Sequence, residues 1–145
     1  MARILTRQFG LFEYDPAGAI EFPAGLPGFE QRRRFVLIER ANAAPVLFLQ
    51  SLEAPELCLP AAPVRSIDPQ YELALTEDDL RLLGPGAGED LIALAILWAP
   101  KEGPLTANLL APVVIDPRSR RAVQAVRMDR RYSHRHPIAK EAACW

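Results

Sequence analysis

No apolar stretch in this 145-residue sequence approaches the ~20 residues that a membrane-crossing helix needs. The charge-free run at residues 91–99 is strand-length. Residues 1–7 lack the long apolar core of a secretion signal, so a cytoplasmic location, away from membranes, is expected. Cysteine is nearly missing: Cys58 and Cys144 show no metal-ligand spacing and suggest no disulfide framework. Cys58 lies between leucines and reads as a small core hydrophobe, and Cys144 as an exposed thiol near the end. Histidine is equally scarce. His134 and His136 stand beside Ser133 among arginines, without the glycine-flanked nucleophile that a triad hydrolase needs. With Cys144 they supply at most three metal ligands in a basic tail, short of a defined zinc set. Gly84-Pro85-Gly86-Ala87-Gly88 lacks the Lys-Ser/Thr of a phosphate-binding loop and follows a helix, so it reads as a turn. No catalytic, metal, cofactor or small-molecule site emerges, and a non-enzymatic protein is expected.

What is present suits one soluble domain. Half of the residues are apolar and 24% are charged, an ordinary globular balance. A chain of this size buries roughly two thirds of its unfolded surface. Net charge is −1, yet its distribution is uneven. Between Arg118 and His136 seven arginines and two histidines face a single acid, Asp129. Acids gather instead at Glu72, Glu77, Asp78, Asp79, Glu89 and Asp90. Such asymmetry bears on partners and encounter rates rather than on fold.

The chain is organised around Leu91–Asp116. Its two apolar runs are bracketed by Gly and Pro and read as strands of one central hairpin. Upstream, Ile4–Tyr14 reads as a first strand interrupted by Gly10, paired with Ala19–Phe22 around the turn Asp15–Gly18. Residues 22–30, FPAGLPGFE, form a shaped loop with two prolines and two glycines, read as scaffold rather than as a surface displaying Phe29. Further strands are expected at Arg34–Arg40, Val46–Leu52, Leu57–Leu59, Tyr71–Leu75 and Ala122–Met128. One helix is expected at about 77–83, with Thr76 as its cap, Asp79 closing a capping box and Gly84-Pro85 as the stop. The fold class is mainly β: a small antiparallel β-barrel-like domain over residues 1–138 with one short α-helix, and a tail at 139–145.

Two sets of residues invite a functional reading. Gln50-Ser51, Thr106 and Asn108 interrupt apolar runs, so each must be hydrogen-bonded or exposed. Satisfying loop backbone is the favoured role, and lining a contact surface the other. The arginines of Arg118–Arg135 with Tyr132 suggest phosphate contacts and base stacking. Aromatics are not interleaved along that segment, however, and Arg32-Arg33-Arg34 reads as a strand's charged rim.

Several motifs in order carry a family resemblance. Ile20-Glu21-Phe22 leads into Gly25-Leu26-Pro27-Gly28-Phe29-Glu30, and Leu49-Gln50-Ser51-Leu52 follows. Next come Leu105–Asp116 (LTANLLAPVVID), Arg121-Ala122-Val123-Gln124 and Tyr132–Ile138 (YSHRHPI). This order resembles the flagellar assembly factor FliW family, with Asp116 standing where Asn is expected before Pro117. The resemblance implies a non-enzymatic cytoplasmic regulator with a small β-barrel-like fold. It implies binding of flagellin and of the RNA-binding translational regulator CsrA, with no direct nucleic-acid contact. Free protein would capture CsrA and tie flagellin synthesis to secretion. Gln50, Ser51, Glu72, Glu77, Asp78, Asp79, Glu89, Asp90 and Asn108 are the candidate partner-binding residues. A solvated helix start and loop is the competing reading of the acids. A small RNA-binding barrel using the arginine-rich segment is the alternative function.

Overall fold

A computed structural model describes residues 1–88 and 90–138. Glu89, the expected tail at 139–145 and Cys144 within it lie outside the described residues. In chain order the elements are β1 (Ala2–Thr6), β2 (Gly10–Tyr14), β3 (Ile20–Glu21), β4 (Arg34–Glu39), β5 (Leu47–Ser51), β6 (Cys58–Pro63) and the helices α1 (Val64–Ile67) and α2 (Glu77–Leu83). Then come β7 (Ile92–Trp98), β8 (Thr106–Ala107), β9 (Val113–Asp116), β10 (Arg121–Gln124) and β11 (His136–Pro137).

Strand β7 closes a barrel. The sheet runs β7-β6-β5-β4-β3-β10-β9, and β9 pairs back onto β7. On one edge Leu94, Ala95 and Ile96 of β7 oppose Pro63, Ala62 and Ala61 of β6. On the other, Ile92, Ala93 and Leu94 oppose Ile115, Val114 and Val113 of β9. Closure leaves no long edge open to other chains. Both faces of β7 are covered along its middle, Leu94–Leu97, which is why that stretch carries no charge. Leu94 enters the barrel core with Ile20, Phe22, Phe35, Leu49, Val113 and Ile115. Ala95 and Leu97 face outward into a second apolar layer with Tyr71, Leu109 and Ile138. The mainly β, barrel-forming class expected from the sequence is what the chain adopts.

The loop at 22–30 seals the barrel core. Phe22 and Leu26 are buried, and Leu26 bridges to Phe29. Gly25 has φ +68°, and a Cβ there would lie 2.4 Å from the backbone oxygen of Glu30, so the loop's shape requires glycine. The helix at Glu77–Leu83 forms as its sequence dictates. Thr76 Oγ1 accepts from the Asp79 N–H at 3.1 Å, and Asp79 Oδ2 accepts from the Thr76 N–H at 3.0 Å.

Several expected pairings are corrected. Ile4–Tyr14 is not one strand: β1 and β2 form their own hairpin, with Leu5 opposite Leu11, instead of pairing with β3. The Thr6 hydroxyl ties its turn by donating to Gly10 O at 2.8 Å while accepting from Phe9 N–H at 2.9 Å. The hairpin sits on the barrel through Phe9 against Phe48 and the Arg40 guanidinium over Phe9 and Phe12. Strand β3 pairs instead with β4 and, in parallel, with β10.

The central hairpin is broken in two. Thr106–Ala107 and Val113–Asp116 both pair with β7, and the intervening chain leaves the sheet at Asn108. Tyr71–Leu75 alternates in burial as expected but joins no strand. Side chains serve the backbone of Glu72, Tyr132 Oη accepting its N–H at 3.3 Å and Arg127 donating to its carbonyl, while the Tyr71 N–H donates to Asp68 O at 3.0 Å. Strand β10 stops at Gln124, four residues short of Met128. A second helix, the single turn α1, follows directly on β6; four residues are too few to show a period. His136-Pro137 is not a solvated tail, since it pairs with β8 as β11.

Candidate functional site

Past Gln124 the chain alternates sharply. Arg127 is buried, while its neighbours Val126 and Met128 stand 48% and 88% exposed. Extended backbone sends successive side chains to opposite faces, so anchoring Arg127 inward forces both apolar neighbours outward. A groove of about 360 Å³ runs between them and the segment before α2, lined by Ala74, Leu75, Thr76, Val126, Met128 and Asp129. Thr76 is the cap of α2, so Glu77 and Asp78, both exposed, follow immediately on the groove wall. The result is an apolar patch with the Asp129 carboxylate in its lining and the acids of α2 next along the chain.

Electrostatics hold the patch in place. The Asp129 carboxylate takes both Nε and Nη2 of Arg127 at 2.9 Å. This pair holds the Asp129 carboxyl below its ordinary range and raises the Arg127 guanidinium further. The same guanidinium lies over the rings of Tyr132 (4.8 Å) and Tyr71 (5.4 Å) and donates to the Glu72 carbonyl. Burial pushes the Tyr71 phenol up, and its hydroxyl donates to Leu109 O at 2.8 Å.

The expected site residues separate into two kinds. Gln50 and Ser51 are buried and serve the loop after β5. Gln50 Nε2 donates to the carbonyls of Ser51, Ala54 and Pro55, and Ser51 Oγ accepts from the N–H groups of Glu53 and Ala54. Asn108 Oδ1 accepts from the N–H groups of Leu110 and Ala111, closing the turn that separates β8 from β9. Asp79 is consumed in the capping box. Among the exposed acids, Glu72 pairs with Arg131 at 3.1 Å and Asp78 with Arg81 at 2.7 Å. Asp90 is exposed on a different groove, with Asp116 and Arg118, and Glu89 lies outside the described residues. Glu77 and Asp78 follow Thr76 of the groove lining in the chain without lining the groove themselves, and Glu72 is tied to the segment that carries Met128.

Sequence reasoning passed over Val126 and Met128 by assigning them to a strand. The available signal was their spacing around a single arginine. The same packing commits part of the arginine-rich segment: Arg127 and Arg131 are ion-paired, and Tyr132 stacks on Tyr71 at 4.3 Å. Among the described residues no group of three His, Cys, Asp or Glu side chains is placed to hold a metal. Among them, too, no helix is long and apolar enough to cross a membrane. Burial raises the half-buried Cys58 thiol above its ordinary range.

The family model described as FliW protein matches residues 3–138, which include the barrel, the groove and the Arg127 anchor. The chain belongs to the FliW family. It is 35% identical over 137 residues to the flagellar assembly factor FliW of Syntrophomonas wolfei, covering 94% of this chain and 88% of the relative. It is 32% identical over 138 residues to that of Syntrophotalea carbinolica, covering 95% and 99%. A crystal structure of the flagellar assembly factor FliW superposes with a TM-score of 0.87 at 29% identity, covering 97% of this chain and 99% of the other. An assembly role, not a catalytic one, is what the names of these FliW relatives describe.

Proposed function

We propose that this FliW-family chain is a non-enzymatic regulator of flagellar assembly in the cytoplasm, binding flagellin and antagonising the translational regulator CsrA. The observation that carries the reading is the exposed Val126–Met128 groove, with Asp129 in its lining and the exposed Glu77 and Asp78 next along the chain from Thr76. An apolar contact with acids near it suits a basic RNA-binding protein. Carboxylates beside the contact speed encounter with such a partner and repel RNA phosphates from it, an effect that salt weakens. Flagellin held by the regulator leaves CsrA free to repress. Export of flagellin frees the regulator to capture CsrA.

Association kinetics with CsrA test this. The double variant Glu77→Lys/Asp78→Lys should slow association roughly tenfold at low salt and flatten its salt dependence. Met128→Glu should chiefly speed dissociation, because it removes an apolar contact without touching the scaffold. Unchanged rates in both variants would remove CsrA capture by this surface. A pull-down with flagellin, CsrA and RNA in parallel checks the partner class, and retention of RNA alone would favour the small RNA-binding barrel.

A further inference from the structure

We propose that the groove beside Trp98 is a second protein-docking site, built for an apolar side chain from a segment bearing acidic residues. We assign it to flagellin, apart from the groove at α2. This rests on the functional reading above.

Trp98 ends β7 beyond the point where β9 has left it, so the barrel no longer covers the indole and 54% of it is exposed. Beside it lies a groove of about 270 Å³ lined by Ile96, Leu97, Trp98, Thr106, Asn108, His134 and Arg135. A groove of that size accommodates one or two side chains of a protein segment. Exposed Trp and Arg at the centre of a patch are the residue types that dominate binding energy at protein interfaces.

The rim has one electrical character. The Arg135 guanidinium lies 5.2 Å from the indole ring. His134 is a neighbour, and no carboxylate lines the groove. Asn108 spends its side-chain oxygen on two backbone N–H groups, which leaves its amide N–H groups as donors. Donors and the Arg135 cation around an apolar floor recruit carboxylates and disfavour a basic partner. The two grooves share no lining residue.

The platform is also held ready. Ser133 accepts the Arg135 N–H on Oγ at 3.0 Å and the Leu109 N–H on its carbonyl at 3.0 Å, and Ile138 N–H donates to Leu105 O at 3.1 Å. Ordering cost on binding is correspondingly small.

Affinities of the full chain for recombinant flagellin, CsrA and a single-stranded RNA, measured by biolayer interferometry, decide the matter. Trp98→Ala and Arg135→Glu should each weaken flagellin binding by about thirtyfold, while Trp98→Phe changes it less than about threefold. CsrA affinity should stay within about twofold in all three, which also certifies their folding. Flagellin affinity unchanged in Arg135→Glu and Trp98→Ala overturns the site and leaves the functional reading standing. If Trp98→Ala loses both partners, the surface variant Arg135→Glu decides by the same criterion. RNA binding that these variants abolish overturns the assignment to a protein. Failure of the unmodified chain to bind flagellin overturns the functional reading itself, and this site with it.

Discussion

Arg127 grips Asp129 two residues further on through a two-pronged ion pair, with both contacts at 2.9 Å, and Met128 stands between them pointing the other way. A buried cation thus fixes the display of an exposed apolar side chain. The arginine contributes little if counted as surface charge, and much as the peg that holds residues 126–132 against Tyr71 and Glu72.

Arg127→Ala should therefore destabilise the fold by about 2 kcal/mol, because it leaves the Glu72 carbonyl without its donor and removes the packing against Tyr71 and Tyr132. Its side chain is 2% exposed, so solvent offers no substitute for the lost contacts. Equilibrium urea unfolding measures this, and a loss below about 0.5 kcal/mol, the scale of an ordinary surface change, would contradict the peg role.

Acid should weaken the protein. Glu53 accepts the backbone N–H groups of Arg33 at 2.6 Å and Arg34 at 3.0 Å, and the bond from Arg34 leads in holding its carboxyl below the ordinary 4.5. Asp129 is likewise held below 3.8 by Arg127. A depressed folded-state pKa means stability that is fully present above the unfolded value and lost as pH falls through the folded one. The melting temperature should hold from neutral pH down to about 5 and fall steeply below about 4. In Glu53→Gln the neutral-pH value should be lower and the acid fall shallower. A parallel pH profile for variant and parent would refute the assignment.

Gln50→Glu should cost about 3 kcal/mol at neutral pH. The amide NH₂ of Gln50 serves three carbonyls, and a carboxylate there would face them with no proton to give. Chemical denaturation supplies the number. Unchanged stability together with lost partner binding would instead make Gln50 a contact residue.

Two glycines of the 22–30 loop should separate cleanly. Gly25→Ala collides with Glu30 backbone and should cost about 3 kcal/mol or prevent folding. Gly28 has φ +86° with open space around its Cβ position, so Gly28→Ala pays only the left-handed backbone penalty of about 1–2 kcal/mol. Equal urea midpoints for the two would show that the loop rearranges.

Local chemistry was legible wherever a rule acts over a few residues. The capping box from Thr76 to Asp79, the prolines and glycines of residues 22–30 and the charge-free β7 all stand where the pattern put them. Tyr71–Leu75 shows how far such a rule reaches. Its alternation correctly marked one buried side, yet the backbone of Glu72 at its middle bonds the side chains of Tyr132 and Arg127, more than fifty residues away, instead of a neighbouring strand. Gln50 and Asn108 were legible as polar groups needing partners; the loop and turn they close supply them to the Gln50 amide NH₂ and to Asn108 Oδ1, while Gln50 Oε1 is buried without one.

The sequence by itself determined the β class, the helix at Glu77–Leu83, the shaped loop and, through motifs in a particular order, the family. Tertiary structure alone decided that β7 takes both β8 and β9, that Arg127 turns inward, and that Met128 and Trp98 are left uncovered. Propensity, capping and turn chemistry act between near neighbours. Barrel closure instead depends on which distant residues meet, Ile92 with Ile115 and Glu21 with Arg121, and exposure is what remains after that packing is complete.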